Sequence, residues 1–301
     1  MCSHQKLACQ HVDAYSSNMT EIVPESLVIV AGRGVYPLAL ARSARSQGVG
    51  RICAIAFRGE TNRTIESVCD SVTWIHLGQL SRMIEAIRET ACRHAVMAGL
   101  ITPTQLFRVR MDKALLKLLH GLKERNAHTI FGAIGDTIRS AGIEVLEASS
   151  FMELYMAPAG QLTDRGPGEE ERQDIQLGIR IAKASSGLDI GQTVVIKRGT
   201  ILAVEAFEGT DATIRRAGKL GGAGAVVVKV AKTGHDMRFD IPVIGPQTVK
   251  TLRRARIGAI ALEAGRGIIL EREVVVAGLN RLGIALVAVD LSNQGESVHA
   301  D

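Results

Sequence analysis

Acidic and basic side chains alternate in one short stretch of the second half of the chain, HDMRFDIPVIGPQT. In an extended segment, Asp236, Arg238 and Asp240 share one face, and Lys229 and Lys232 come shortly before them. Carboxylate oxygens suit Mg²⁺, and cations neutralise a diphosphate, so this pattern fits a phosphate and divalent-metal site. An edge strand with a solvated ladder of acids and bases, which contributes little stability, explains the same spacing equally well.

Two further acids lie upstream in ILAVEAFEGTDATIRRAG. Glu205 falls within a predicted strand between apolar neighbours, where a carboxylate is costly to bury without a partner or a metal. Asp211 is predicted to start the next helix, a position at which aspartate is often an N-cap. Basic candidate partners for Glu205 follow on that helix, namely Arg215, Arg216 and Lys219.

Glycines form a second candidate site in the first half of the chain. Gly32 and Gly34 follow the apolar run LVIVA and could present backbone N–H groups to a phosphate at a helix N-terminus. Gly99 ends a later strand, and open α/β sheets bind ligands beyond the carboxyl ends of their strands. Pro37 occupies the position of the third glycine of a dinucleotide fingerprint, so a nucleotide-dependent oxidoreductase is disfavoured. Tight turns explain these glycines about as well as a ligand does.

The elements that would position these residues predict an α/β protein of two domains. Strand and helix patterns alternate over residues 26–155, which predicts a Rossmann-like N-terminal domain. Residues 156–172 are rich in proline, glycine and charge, which is typical of a linker. Residues 173–301 predict a second α/β domain that carries the catalytic residues, and residues 1–25 a frayed extension.

Composition narrows the classes of function. Aromatic residues make up 3% of the 301 residues, too few for base-stacking platforms, so no nucleic-acid partner is expected despite a net charge of +5. The five cysteines form no CxxC pair, as in reduced cytosolic proteins. The sequence has no secretory signal and no apolar run long enough to span a bilayer. We therefore expect a cytoplasmic protein.

Several blocks of sequence together resemble the UDP-2,3-diacylglucosamine pyrophosphatases of lipid A biosynthesis, of the LpxI type. These blocks are LVIVAGRGVYPLALA, AGQLTDRGPGEEERQDIQLG, DIGQTVVIKRGTILAVEAFEGTDATIRRAG and VVKVAKTGHDMRFDIPVIGPQTV. The resemblance implies an enzyme with Mg²⁺ (or Mn²⁺) as cofactor that splits the diphosphate of UDP-2,3-diacylglucosamine into UMP and 2,3-diacylglucosamine 1-phosphate. It also implies two domains joined by a linker, with the lipid bound between them.

The resemblance also assigns roles to residues. It ties Asp240, in the RFDIPVIG block, to catalysis, either as a metal ligand or as the group that positions the attacking water. Asp236 is the weaker catalytic candidate, and Glu205 and Asp211 are expected within reach of the same metal. The substrate-binding candidates are Gly32, Gly34, Gly99, Lys229, Lys232 and Arg238.

Two first-domain segments depart from the family pattern. LKERNAHTIFGAIGD replaces an acidic GDD-like motif, and AGLITP lacks a polar residue after its glycine. The basic amphipathic stretch LFRVRMDKALLKLLHGL could line an acyl-chain groove or rest on a membrane, although such a helix more often packs one face on a sheet. We expect transient contact with the inner membrane surface, and a homodimer is compatible with this interpretation. A non-catalytic protein that binds a nucleotide-sugar or a lipid is the alternative.

Overall fold

The N-terminal part of the computed structural model is a helix-covered parallel sheet. The structure describes residues 23–101, 109–232 and 241–292, and all statements below concern these residues. The first part contains β1 (Ser26–Ala31), α1 (Tyr36–Ser46), β2 (Arg51–Phe57), β3 (Ser71–Ile75), α2 (Leu80–Glu89), β4 (His94–Ala98), α3 (Lys113–Gly121), α4 (Ala127–Ser140) and β5 (Glu144–Val145).

The five strands of this sheet are all parallel, in the order β3-β2-β1-β4-β5. Successive residues of β1 serve opposite faces: Leu27 and Ile29 are buried in one apolar cluster with α1, whereas Val28 and Val30 are buried in another with α2, α3 and α4. A strand that is buried on both faces must be apolar throughout, which explains the continuous run LVIVA. The order and the two helical layers confirm the predicted Rossmann-like domain.

The C-terminal part is a mixed sheet with its own helices. It contains β6 (Gly160–Gln161), α5 (Glu169–Gly187), β7 (Thr193–Lys197), β8 (Thr200–Val204), α6 (Thr210–Gly221), β9 (Val226–Lys229), β10 (Val243–Ile244), α7 (Pro246–Ala255), β11 (Ala259–Glu263), β12 (Ile268–Ile269), α8 (Arg272–Leu282) and β13 (Ala285–Val289). The second α/β domain is therefore confirmed.

Six of these strands form one sheet in the order β6-β13-β11-β9-β7-β8. β7 is antiparallel to both of its neighbours, so β8, β9, β11 and β13 run in the same direction. α5 packs alone on one face, while α6, α7 and α8 cover the other. A Cβ at Gly178 of α5 would lie 2.4 Å from Cγ2 of Val228, so only glycine allows this close contact between helix and sheet.

The short strands β10 and β12 pair with each other and lie next to the N-terminal domain. Ile241, Ile268 and Leu270 share one buried apolar cluster with Leu40 of α1 and Met152. The segment at Ile241 is therefore fixed against the N-terminal domain by apolar packing.

Two predicted boundaries differ from the structure. The spacing of apolar residues predicts a helix from Ser81 to Arg93, but α2 ends at Glu89, because Ala91 adopts a left-handed φ of 56° that no helix continues. Within the predicted linker, Gly160–Gln161 pairs antiparallel with β13, and α5 already begins at Glu169. Part of that segment therefore belongs to the C-terminal domain, whereas most of the predicted extension lies outside the described residues.

The predicted amphipathic helix packs on the N-terminal sheet. Leu115 and Leu119 of α3 are buried in the same cluster as Val28, while Leu116 is exposed on the opposite side. None of the helices that the structure describes combines the length and apolar character needed to cross a membrane.

Candidate active site

The candidate active site lies at the carboxyl edge of the C-terminal sheet. Because β8, β9 and β11 run in the same direction, the residues at their carboxyl ends come together there, and open α/β sheets bind ligands at such an edge. Glu205 directly follows β8, Lys229 ends β9 and Glu263 ends β11. All three charged residues are buried, an uncommon condition that requires partners.

Glu205 and Lys229 are joined through the hydroxyl of Thr210. Lys229 Nζ donates to Thr210 Oγ1 at 2.8 Å, and Thr210 Oγ1 donates to Oε1 of Glu205 at 2.8 Å. Lys229 is 6% exposed and Glu205 8% exposed, but the two form no direct ion pair. Oε2 of Glu205 is buried and has no hydrogen-bond partner among the described residues.

Sheet order explains why these residues meet. β7 lies between β8 and β9, and Thr193 of β7 is the register partner of Lys229 on one side. On its other side, the carbonyl of Thr193 accepts the backbone N–H of Glu205 at 2.8 Å. Glu205 and Lys229 thus flank Thr193 across three strands, and Gly209, with φ of 80°, turns the chain so that Thr210 opens α6 above them.

Asp211 has a different place from the one predicted. The N-cap of α6 is Gly209 and the helix begins at Thr210, so Asp211 lies inside the first turn. A carboxylate at this position interacts favourably with the positive end of the helix dipole. The N-cap assignment was therefore wrong.

The basic residues of α6 were predicted to be partners of the Glu205 carboxylate, but the structure shows other contacts for them. Arg216 Nη2 contacts Oε1 of Glu208 at 2.6 Å, and Nε of Arg215 donates to the carbonyl of Asp211 at 3.0 Å. Burial raises the pKa of Glu208, but hydrogen bonds from its own backbone N–H and from Arg216 outweigh burial and hold the pKa below its usual range. The basic residue linked to Glu205 is Lys229, through Thr210.

An ion pair between a partly buried lysine and a buried glutamate fixes the chain just beyond β9. Lys183 Nζ of α5 lies 2.7 Å from Oε2 of Glu263. Both side chains also bind the backbone of Ala231, Lys183 by donating to its carbonyl and Glu263 by accepting its N–H, each at 2.8 Å. Lys232, predicted to bind substrate, is paired with Asp189 at 2.6 Å.

Only two of the three predicted metal ligands lie in the described residues. Among those residues, no group of three His, Cys, Asp or Glu side chains is arranged to hold a metal ion. Glu205 and Asp211 thus form no metal centre by themselves with their described neighbours. The unpartnered oxygen of Glu205 fits an oxygen ligand for Mg²⁺.

The segment that carries three predicted site residues lies outside the described residues. Asp236, Arg238 and Asp240 belong to it, and their assignments stay predictions. Its two flanks are described: Lys232 lies at the carboxyl edge of the C-terminal sheet, and Ile241 is buried in the cluster shared with the N-terminal domain.

The predicted glycine site lies at the carboxyl edge of the N-terminal sheet, where β1 and β4 are neighbours. A Cβ on Gly32 would lie 2.9 Å from the carbonyl carbon of Gly99, and one on Gly99 would lie 2.8 Å from the carbonyl oxygen of Arg33. Gly34 has a φ of 100° with open space around it. Close backbone packing thus accounts for Gly32 and Gly99, and their predicted role in substrate binding stays a prediction.

Sequence reasoning missed several residues that the structure brings to these edges. Glu60, three residues after β2, is paired with Arg33 of the glycine turn at 2.8 Å, and its side chain is 8% exposed. Thr210, Lys183 and Glu263 were missed as well, because Thr210 meets Lys229 from 19 residues away and Lys183 meets Glu263 from 80 residues away. The acid in LEAG, at the end of a buried apolar run, was the available signal for Glu263.

Comparisons with solved structures give only weak likenesses. The biotin carboxylase subunit of pyruvate carboxylase aligns with a TM-score of 0.27 and 13% identity, over 66% of this chain and 42% of that chain. The biotin carboxylase domain of the 2-oxoglutarate carboxylase from Hydrogenobacter thermophilus gives 0.27 and 12%, over 65% and 41%. This chain spans less than half of either structure, and at such scores neither likeness carries an argument.

Comparisons of sequence are decisive. The chain is 29% identical over 276 residues to the UDP-2,3-diacylglucosamine pyrophosphatase LpxI of Caulobacter vibrioides. The matched region covers 88% of this chain and 97% of that protein. The LpxI N-terminal domain matches residues 26–155, and the LpxI C-terminal domain matches residues 158–287. With both domains matched in order along one chain, this protein belongs to the LpxI family.

Proposed function

We propose that this protein is a hydrolase that splits the diphosphate of UDP-2,3-diacylglucosamine into UMP and 2,3-diacylglucosamine 1-phosphate, a step of lipid A biosynthesis. The observation that carries the proposal is the match over both domains to a relative that bears the name of this activity. The buried cation at the carboxyl edge of the C-terminal sheet supports it, because a diphosphate needs positive charge around it.

The reaction adds one water across the diphosphate. The water oxygen forms a bond to one phosphorus, and the bond from that phosphorus to the bridging oxygen breaks, so the bridging oxygen leaves with the other phosphate. Negative charge grows on the leaving phosphate, and a preorganised cation stabilises it most effectively in a site from which water is excluded. Lys229 has this role in the proposal, because its ammonium is already desolvated by burial.

Lys232 is a weaker candidate for the same role. Its ammonium is paired with Asp189 at 2.6 Å, which offsets part of its charge. Lys229, in contrast, is hydrogen bonded only to neutral hydroxyl groups among the described residues. We therefore assign the main phosphate contact to Lys229, with Arg238 and Lys232 in support.

Asp240 is the proposed catalytic carboxylate, on the strength of the family resemblance, and Asp236 the weaker candidate. Mg²⁺ or Mn²⁺ is the proposed cofactor, with Asp240, Glu205 and Asp211 as ligands. When bound, such an ion neutralises diphosphate charge and polarises a phosphoryl oxygen. The unpartnered oxygen of Glu205 supports its place in this set.

The place of the reaction follows from the substrate. UDP-2,3-diacylglucosamine carries two acyl chains, so we propose that the protein works in the cytoplasm and meets its substrate at the inner membrane surface. The exposed side of α3, which includes Leu116, supports such a contact. A homodimer is compatible with the proposal.

The test is release of UMP from UDP-2,3-diacylglucosamine. We expect turnover with Mg²⁺, its loss in EDTA, and a fall of about 10²-fold or more in Asp240→Ala, as when a group acting in the transition state is removed. Asp236→Ala is the matched variant in the same segment, with a smaller expected loss. A well-folded wild-type protein without turnover would overturn the proposal and favour a non-catalytic nucleotide-sugar or lipid-binding protein.

A further inference from the structure

The arrangement of Lys229, Thr210 and Glu205 is unusual because a buried ammonium and a buried carboxylate lie close together without forming an ion pair. Each is more than nine-tenths buried, so each needs compensation inside the protein. That compensation passes through one hydroxyl, which accepts from Lys229 and donates to Glu205, both at 2.8 Å. A hydroxyl is suited to this position because it is donor and acceptor at once.

The donors of Lys229 are only partly used. An ammonium has three N–H groups; one bonds Thr210 at 2.8 Å, and a second makes a long contact of 3.4 Å with Oγ1 of Thr193. The third has no acceptor among the described residues. A direct pair with Glu205 would occupy this donor and place a full negative charge beside the ammonium, which weakens its attraction for a second anion.

We propose that Thr210 is a positioning residue, which holds Lys229 and Glu205 apart while bonding both, so that the ammonium remains available to a phosphate oxygen of the substrate. This inference rests on the proposed function and adds to it a residue that touches neither the phosphate nor the water. Thr210 acts through Lys229, so its effect requires Lys229 to be present.

The variants follow from this geometry. Thr210→Val removes the hydroxyl while keeping the branched shape, and Thr210→Ser restores the hydroxyl. Thr213→Val is the matched control, because Thr213 is a fully buried threonine on the same helix whose hydroxyl bonds Glu208 at 3.3 Å and the carbonyl of Gly209 at 3.0 Å instead. It reports the cost of losing a threonine hydroxyl in α6 without touching Lys229.

The expected result is a fall of at least 10-fold in kcat/KM for UDP-2,3-diacylglucosamine in Thr210→Val, most of it recovered in Thr210→Ser. Thr213→Val should change kcat/KM less than threefold while lowering the melting temperature as much as Thr210→Val does. In a Lys229→Met background, Thr210→Val should change kcat/KM less than twofold, because the residue through which it acts is gone.

Binding of UDP, measured by calorimetry, separates this inference from the proposed function. If the wild-type protein binds UDP but releases no UMP, the proposed function fails, and the inference is then judged by whether Thr210→Val weakens UDP binding about 10-fold or more. Unchanged kcat/KM and unchanged UDP binding in Thr210→Val would overturn the inference. So would an equal loss in the Lys229→Met background, or a wild-type protein that binds no UDP.

Discussion

At the carboxyl edge of the N-terminal sheet, backbone groups fill the space between neighbouring turns, whereas at the same edge of the C-terminal sheet buried charged side chains fill it. Gly32 and Gly99 bring two backbone segments into contact at the first edge. Lys229, Glu205 and Glu263 are buried at the second. Burying charge costs free energy of folding, and apolar residues of similar size often stabilise more. Stability of the fold alone therefore does not explain the buried charges at the carboxyl edge of the C-terminal sheet.

The largest stability effect is expected at the C-terminal edge, in Glu263→Gln. Loss of the carboxylate charge leaves Lys183 without its ion pair and weakens the hold on Ala231. We expect a loss of about 3 kcal/mol in the free energy of unfolding, measured by urea denaturation. Glu171→Gln is the matched control, because its partner Arg165 is half-exposed and the pair contributes about 1 kcal/mol. Equal losses in both variants would contradict a special role for the pair between Lys183 and the buried Glu263.

A nearly equal loss of stability is expected when one methyl group is added at the carboxyl edge of the N-terminal sheet. Gly99→Ala places a Cβ about 2.8 Å from the carbonyl oxygen of Arg33, at a φ of 91° that side chains rarely adopt. We expect a loss of about 2–3 kcal/mol, from backbone strain together with the clash. Gly34→Ala has similar strain but no clash, so it should cost only about 1 kcal/mol. If both substitutions cost the same, close backbone packing is not what requires glycine at position 99.

The smallest effect is expected in Glu60→Gln. Its side chain is buried, but Arg33 is 47% exposed, so solvent screens the ion pair. The expected loss is about 1 kcal/mol in urea denaturation, well below that of Glu263→Gln. A loss as large as that of Glu263→Gln would remove the contrast between the two edges.

Much of the fold could be predicted because each strand has an apolar pattern within its own short stretch of sequence. β13 is a continuous apolar run, and β1, β2 and β9 are apolar except for one terminal residue, since each is covered on both faces. The end of α2 could not be predicted, because it depends on a left-handed residue, Ala91, that carries no glycine signal. Pairing of Gly160–Gln161 with β13 also escaped prediction, because a two-residue edge strand has no periodicity.

Residues of the candidate site could be predicted from the sequence, but the contacts between them could not. The apolar neighbours of Glu205 predicted that this residue is buried. Arg215 and Arg216, the basic residues that follow on the helix, bind other groups instead. Lys229 and Glu205 are linked through Thr210 because β9 and β8 flank the same antiparallel strand, β7. Sheet order of this kind is a long-range property that no local pattern encodes.

Lys229→Met tests most directly whether the carboxyl edge of the C-terminal sheet holds the phosphate-binding cation. This substitution keeps the apolar length of the side chain and removes its charge. UMP release from UDP-2,3-diacylglucosamine should fall about 10²-fold or more, with a folded variant confirmed by its melting temperature. A folded Lys229→Met protein with wild-type turnover would contradict the account.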